Sequence, residues 1–417
     1  MILGPVSLID CVVFCIFLAP QLLIQVGIFS TVLTVLRCLP FLALRLPYEF
    51  VKERYFTSRQ SQSRFVQDAT AFEDFVIRCV RYAFANIPAS VGRVFFSKSV
   101  ALPFVRWRMA RHGYWRYPMH FEEVTIGEGS SETGGIWLRQ DQEKTPDAVL
   151  YYLHGGGFAM GSSYFYLEFL MALHHLLLEA GYTNPAVFAL EYTLVPDDIY
   201  PRQVHQTLQG YRHVLQTAGT ASRVCVGGDS AGGTLVLSLL LELGARSRGG
   251  KGGGGLAVPR SLTKLHLPHK VILISPWVTL LSSRHHESDV DFLDRSTLWR
   301  YAHAYAGDTM VQQAPASPGS CVDEELWRAA QPKEGWLVAF GDQEVFAGDA
   351  LDFIRSQRKL GHDVRVHKVA GGVHAWPVAS LFLSSTAEKR LLGLRTIADE
   401  VRRGIEVKGV NGEKINV

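Results

Sequence analysis

The sequence predicts an α/β fold: a mostly parallel sheet covered by helices, with a helical cap and an N-terminal membrane anchor. Three observations carry that expectation. Apolar runs of strand length recur at 148–153, 186–190, 223–226, 271–274, 336–340 and 364–369, and helix-like segments near 164–180, 202–217, 231–245 and 348–361 separate most of them. Such alternation marks strands joined by crossover helices. One run leads into Gly228-Asp229-Ser230-Ala231-Gly232-Gly233 and then a helix-like TLVLSLLLEL. Finally, residues 11–36 contain no charged side chain.

Composition narrows the class. A chain of 417 residues accommodates one large α/β domain with additional elements. Hydrophobic content of 47% and a mean hydropathy of +0.09 are high for a wholly soluble chain and point to a membrane piece. A net charge of +3, with no basic stripe interleaved with aromatics, argues against a nucleic-acid partner. The six cysteines are scattered, with neither the spacing of a zinc site nor that of a disulfide framework.

Taken in order, the chain divides into an anchor (1–45), a connector with the first part of the cap (46–120) and a catalytic domain (121–417), within which 277–330 form the second part of the cap. The uncharged run exceeds the roughly 20 residues that a bilayer span needs. It is too long for the apolar core of a cleaved leader and lacks a basic start, so a single signal-anchor span is expected. The alternative is a buried or interfacial helix pair broken near Pro20. Arg37, Arg45, Lys52 and Arg54 follow the run and no Lys or Arg precedes it, which by charge bias places the body in the cytosol.

In the connector, Phe72, Phe75, Val76, Val80 and Phe84 have helical spacing; Phe95, Phe96, Phe104, Trp107 and Trp115 line an apolar entrance or form ordinary core. Residues 121–126 and 135–138 read as a leading hairpin. Residues 246–255 form a glycine-rich surface insertion that lacks the G-K-[ST] of a phosphate loop. A helix over about 291–305 belongs to the cap, and one terminal helix over about 380–405 covers the sheet.

The chemistry centres on Ser230. Strand, tight turn with a central serine, and helix is the context of a G-x-S-x-G nucleophile elbow, where Gly228 and Gly232 keep the strained turn free of bulk. Seventy-four residues before Gly228, at the end of an apolar run, stands His154-Gly155-Gly156-Gly157. Consecutive glycines let backbone N–H groups converge where the oxygen of a tetrahedral intermediate would sit. Gly156, Gly157 and Ala231 are the expected donors of this oxyanion hole, with Gly155 permitting the turn. Of fifteen histidines, only His374 combines a loop after the last strand with the order serine, acid, histidine. The acid belongs after the preceding strand, where Asp342 and Glu344 both stand.

HGGG, GDSAGG and the late G-x-x-H together resemble the hormone-sensitive-lipase branch of the α/β-hydrolase superfamily over about residues 120–400. The segment Glu191-Tyr192-Thr193-Leu194-Val195-Pro196, with Tyr200-Pro201, is similar to another motif of that branch. The resemblance implies an eight-stranded sheet, a cap over the site and carboxylesterase activity on an apolar ester, with no metal or cofactor. The family's D-P-L…G…G-x-x-H pattern, laid on this chain, puts Glu344 rather than Asp342 at the acid position, a departure from the usual aspartate. With the anchor, the chain is also similar to the arylacetamide deacetylases and fungal steryl acetyl hydrolases. That implies a catalytic domain in the endoplasmic reticulum lumen, against the charge bias.

The leading expectation is a serine esterase removing a short acyl group, acetyl first, from a bulky apolar alcohol such as a sterol. A longer-chain lipase or a secondary-metabolite deacetylase is separated from it by a chain-length series of esters. A small-ligand receptor on the same fold would have lost a triad member, and none is missing here.

Overall fold

A computed structural model of the chain describes residues 1–127, 132–249 and 265–406. The body is built on one eight-stranded sheet: β1 (His120–Ile126), β2 (Thr133–Arg139), β3 (Ala148–Leu153), β4 (Pro185–Glu191), β5 (Val224–Asp229), β6 (Lys270–Ile274), β7 (Trp336–Gly341) and β8 (Val364–Val369), in the order β1-β2-β4-β3-β5-β6-β7-β8. β1/β2 and β2/β4 pair antiparallel; every other pair is parallel. The central strands are continuous apolar runs because both faces are covered. Alternation along β3 shows it: Val149, Tyr151 and Leu153 enter one core, Leu150 and Tyr152 the other.

Between the N-terminal apolar segment and the sheet's first strand lie α4 (Arg64–Asp68), α5 (Ala71–Asn86), α6 (Ala89–Phe96) and α7 (Lys98–Arg111). Around the sheet follow α8 (Leu167–Glu179), α9 (Arg202–Ala218), α10 (Ala231–Ser247), α11 (Arg295–Met310), α12 (Glu324–Ala329), α13 (Ala347–Lys359), α14 (Trp376–Leu383) and α15 (Ala387–Gly404). Helix α11 starts four residues later than expected, because Asp294 caps it through the Thr297 N–H. The single terminal helix expected over 380–405 is two helices: Ser384 leaves the helical backbone, and Thr386 caps α15. Most of the glycine-rich insertion, and the tail beyond residue 406, lie outside the described residues.

The N-terminus differs most from expectation. The uncharged run is not one helix but two, α1 (Leu8–Gln25) and α2 (Ile28–Pro40). The break falls not at Pro20, which α1 accommodates, but at Gly27, whose φ of 89° only glycine adopts cheaply. α2 runs on through a π-helical turn, α3 (Leu46–Val51) and a second π-helical turn, so that the rod from Ile28 to Phe56 is 29 residues long.

Residues before α1 are seated in the body. Met1 and Leu3 are buried, and Arg390 donates to the Leu3 carbonyl (2.6 Å). The fully buried Arg108 of α7 binds the Gly4 carbonyl (2.6 Å), Asp10 (3.0 Å) and Glu168 (2.7 Å). Phe95 and Phe104, expected at an entrance or in the core, instead pack against Phe14 of α1 (4.6 and 5.0 Å). Trp107 donates to Asp10 (3.3 Å), and Trp115 is exposed.

Candidate active site

Sheet register gathers the motifs. Leu153 of β3 pairs with Gly228 of β5, so the HGGG loop leaves the sheet beside the serine turn. Asp229 pairs with Ile274, and Gly341 with Val369, so the loops after β6, β7 and β8 open at the same edge. In parallel α/β sheets this carboxyl edge is where sites form.

Ser230 occupies the turn between β5 and α10 with φ 51° and ψ −120°. Its backbone N–H donates to Ile274 (3.0 Å) and its carbonyl accepts from Trp277 (3.1 Å), which hold the strained conformation. Ser230 is also the N-cap of the 17-residue α10, so the helix's positive end lies at Ser230 and Ala231. A Cβ at Gly232 would stand 2.0 Å from the Leu153 carbonyl oxygen, so the turn seats on β3 only with glycine there.

Asp229 braces the neighbouring loop. Its carboxylate accepts from Tyr152 (2.8 Å), Tyr166 (2.6 Å) and the Gly155 N–H (3.0 Å). Burial pushes it up to about 6. Gly155 therefore spends its N–H on Asp229. Gly156, at φ 113°, turns the chain back, and a Cβ there would lie 2.1 Å from the Met160 carbonyl oxygen. His154 is buried, stacks on Tyr192 (4.4 Å) and contacts the Gly155 carbonyl through Nδ1 (2.7 Å). Burial lowers it to about 4, so it stays neutral as a strut of the loop.

The acid loop separates the two carboxylates. Glu344 is fully buried; its Oε2 accepts from Ser275 Oγ (2.6 Å) and the Gly341 N–H (3.0 Å), while Oε1 has no partner. Asp342 is half-buried and accepts from the Gly371 N–H (2.7 Å), tying the β7 loop to the β8 loop. His374 is buried, with its ring edge-on to Phe292 (5.5 Å) and Phe346 (5.2 Å); its Nδ1 likewise has no partner. Burial lowers His374 to about 3, and burial together with Asp291 holds Glu344 well above the usual carboxylate range.

Two residues here carry no motif. Ser275, at φ 43°, links Glu344 to the histidine loop by also accepting from the Ala375 N–H (2.9 Å). Buried Asp291 accepts from the N–H groups of His374 (2.9 Å), Phe292 (2.9 Å) and Val345 (2.8 Å), fastening the cap to both loops. Burial raises it to about 6. Ser275's position directly after β6 was the one sequence signal; Asp291 sits in a cap segment without periodicity. Among the described residues, the non-glycine ones with positive φ are Phe158, Ser230, Ser275 and Ala375, all in these four loops. Backbone strain clustering in this way marks sites where geometry is imposed by function.

The roof is apolar. Tyr301 of α11 stands where a Cβ on Gly157 would meet its ring at 2.7 Å, Phe84 of α5 packs edge-on to Tyr301 (5.8 Å), and Tyr305 stacks on Phe158 (3.7 Å).

Comparison with known proteins supplies the family. A steryl acetyl hydrolase family model matches residues 29–381. The chain belongs to that family. Among steryl acetyl hydrolase relatives, a putative one from Schizosaccharomyces pombe is 27% identical over 273 residues, 63% of this chain and 68% of that one. An acetyl-hydrolase of Streptomyces hygroscopicus is 27% identical over 257 residues, covering 61% of this chain and 74% of the relative. A hormone-sensitive lipase from a metagenome library superposes with a TM-score of 0.57 at 21% identity, over 80% of this chain and 99% of that one. Carboxyl esterase 2 of Tuber melanosporum does so at 0.55 and 22%, over 69% and 88%. This steryl acetyl hydrolase family member thus has the α/β-hydrolase fold and is an ester hydrolase.

Proposed function

We propose that the protein is a membrane-associated serine carboxylesterase that removes a short acyl group, acetyl in the first instance, from a bulky apolar alcohol such as a sterol. The observation that carries the catalytic part is a pair of buried, partnerless atoms, His374 Nδ1 and Glu344 Oε1, in adjoining loops. The two atoms are not hydrogen-bonded to each other in this structure; one imidazole–carboxylate hydrogen bond would satisfy both, and orphaned buried polar atoms are rare enough to ask for such a partner.

Ser230 is the nucleophile, His374 the base and Glu344 the acid that orients it. His374 Nε2 takes the Ser230 proton as Oγ bonds to the ester carbonyl carbon. The carbonyl oxygen becomes an oxyanion held by the N–H groups of Gly156, Gly157 and Ala231, each worth roughly 3–4 kcal/mol in such sites. The C–O bond to the alcohol breaks and the alcohol leaves with the proton from His374. Water then repeats the sequence, releasing the acid and restoring Ser230.

The family supports an acetyl ester, and the apolar roof of Tyr301, Phe84 and Tyr305 supports a bulky hydrocarbon alcohol. Two apolar helices, Leu8–Gln25 and Ile28–Phe56, with only 11% and 6% of their most apolar stretches buried, support membrane association. Hydrolysis of acetylated sterols and of aryl esters of increasing acyl length, by detergent-solubilised protein and by Ser230→Ala, is the test. Acetyl sterols turned over by the parent alone are expected; turnover that survives in Ser230→Ala removes the serine mechanism. A preference for long acyl chains replaces the acetyl reading with a lipase.

A further inference from the structure

The two N-terminal helices pose a geometric problem for an anchor that crosses the bilayer. The exposed positions of α1 recur with helical period, and they include Ile9, Val12, Ile16, Ala19, Leu23 and Ile24. No polar or charged side chain falls on that stripe from Leu8 to Ile24. A helix lying on a water-facing surface would carry polar residues there.

The opposite side of α1 is held along its whole length: Asp10 by Arg108 and Trp107, Phe14 by Phe95 and Phe104, and Gln25 by Ser99 (3.1 Å). To cross hydrocarbon, α1 would have to take α6 and α7 with it. These carry Arg93, Lys98, Arg106, Arg108 and Arg111, and cations are the side chains most strongly rejected at the bilayer centre. α2 offers no alternative. From Arg37 onward its rod is bound to α5, through the Tyr82 hydroxyl on the Arg37 carbonyl (3.1 Å), the Phe41–Tyr82 stack (3.9 Å) and the Arg54–Asp74 pair (3.5 Å). The stretch before that contact, 28–36, spans roughly 14 Å, against a hydrocarbon core of about 30 Å.

We infer that α1 and α2 form a hairpin lying flat in one leaflet of a phospholipid bilayer, so that the chain does not cross and residues 1–10 stay on the same side as the hydrolase body. The inference rests on the membrane reading above and specifies its geometry. Charge fits the occupant: exposed Arg37, Lys52 and Arg106 border the apolar surface, with exposed Tyr48, Tyr55 and Trp115. Cations and amphipathic aromatics are what the headgroup level of an anionic bilayer takes up.

The test uses the full-length protein bound to phosphatidylcholine–phosphatidylserine vesicles. Nitroxides are placed singly at Val12, Ile16 and Leu23 on α1 and at Val32, Val35 and Leu39 on α2, with Cys11, Cys15, Cys38, Cys79 and Cys321 replaced by serine. Depth is read from oxygen and nickel-chelate collision rates, and fluorophosphonate labelling of Ser230 certifies the fold of each variant. All six labels at one shallow depth are expected. A profile with its deepest point in mid-helix and both ends shallow overturns the flat hairpin. A second measurement needs no label in the helices: in sealed microsomes, Pro5→Cys and Asp399→Cys should react with an impermeant maleimide from the same side, and reaction from opposite sides overturns the inference. Protein that retains Ser230 labelling but fails to float with vesicles overturns the membrane reading and this inference together, leaving the esterase reading intact.

Discussion

At the scale of single residues, the two carboxylates after β7 separate cleanly by experiment. If Glu344 orients His374, Glu344→Gln lowers kcat by about 10⁴-fold, the loss expected when a triad acid becomes an amide. Asp342→Asn still accepts from the Gly371 N–H and leaves kcat within a few-fold. Steady-state kinetics on an acetyl ester checks both, and the reverse ranking would transfer the role to Asp342. Asp291 touches no reacting atom, so its effect is indirect: it positions the histidine loop, and its charge faces Glu344. Burial resists negative charge on Glu344, and ionised Asp291 adds to that resistance, with Arg81 of α5 partly offsetting it at Asp291. The active form needs neutral His374 beside ionised Glu344. If the two groups form the proposed pair they titrate together, and the like charge nearby raises the pH at which the pair gives up its proton. Asp291→Asn should therefore move the acid limb of the kcat/KM profile to lower pH. It also leaves one of three buried N–H groups without an acceptor, at a cost in stability of about 1–3 kcal/mol. An unmoved acid limb would reduce Asp291 to a purely structural fastener.

Among the elements, the glycine loop after β3 is the most constrained. Gly156→Ala brings a methyl group within 2.1 Å of backbone at Met160, and the loop must shift. If Gly156 and Gly157 hold the oxyanion, kcat falls by at least about 10²-fold while circular dichroism stays unchanged. Sheet and crossover helices were legible in the sequence because strands buried on both faces read as unbroken apolar runs; β3 and β8 begin and end where their runs do. Ser230, His154 and His374 were legible because strained turns and converging amides demand glycine at fixed offsets. Ser275 and Asp291 were not, since a hydroxyl or carboxylate that fastens one loop to another leaves no period or motif. The helix break at Gly27 was hidden for a related reason: in a uniformly apolar run, Pro20 is the louder signal, yet it sits on α1's exposed stripe, and the turn needs a positive φ that glycine supplies.

For the whole molecule, the buried cluster around Arg108 joins the N-terminal segment to the body. Arg108 is enclosed with Asp10 and Glu168, all three at most 3% exposed. Removing the guanidinium leaves two buried carboxylates without it, and breaking such a cluster typically costs about 3–5 kcal/mol. Arg108→Ala should lower the melting temperature of the body by many degrees in detergent as well as in membranes. A melting curve indistinguishable from the parent's would mean that the first ten residues are an appendage. The same cluster has a consequence in time. Leu3 is held by Arg390 and Val6 by Phe382, so these residues are seated by partners synthesised long after them. At about 5–20 residues per second, roughly 20–75 s pass between the two. Over most of that interval α1 already has its partners on α6 and α7, through Phe95, Phe104 and Arg108, while Leu3 and Val6 still lack theirs. Packing of α1 on α6 and α7 therefore precedes the closing of Leu3 and Val6 onto α14 and α15, which is among the last contacts this fold makes.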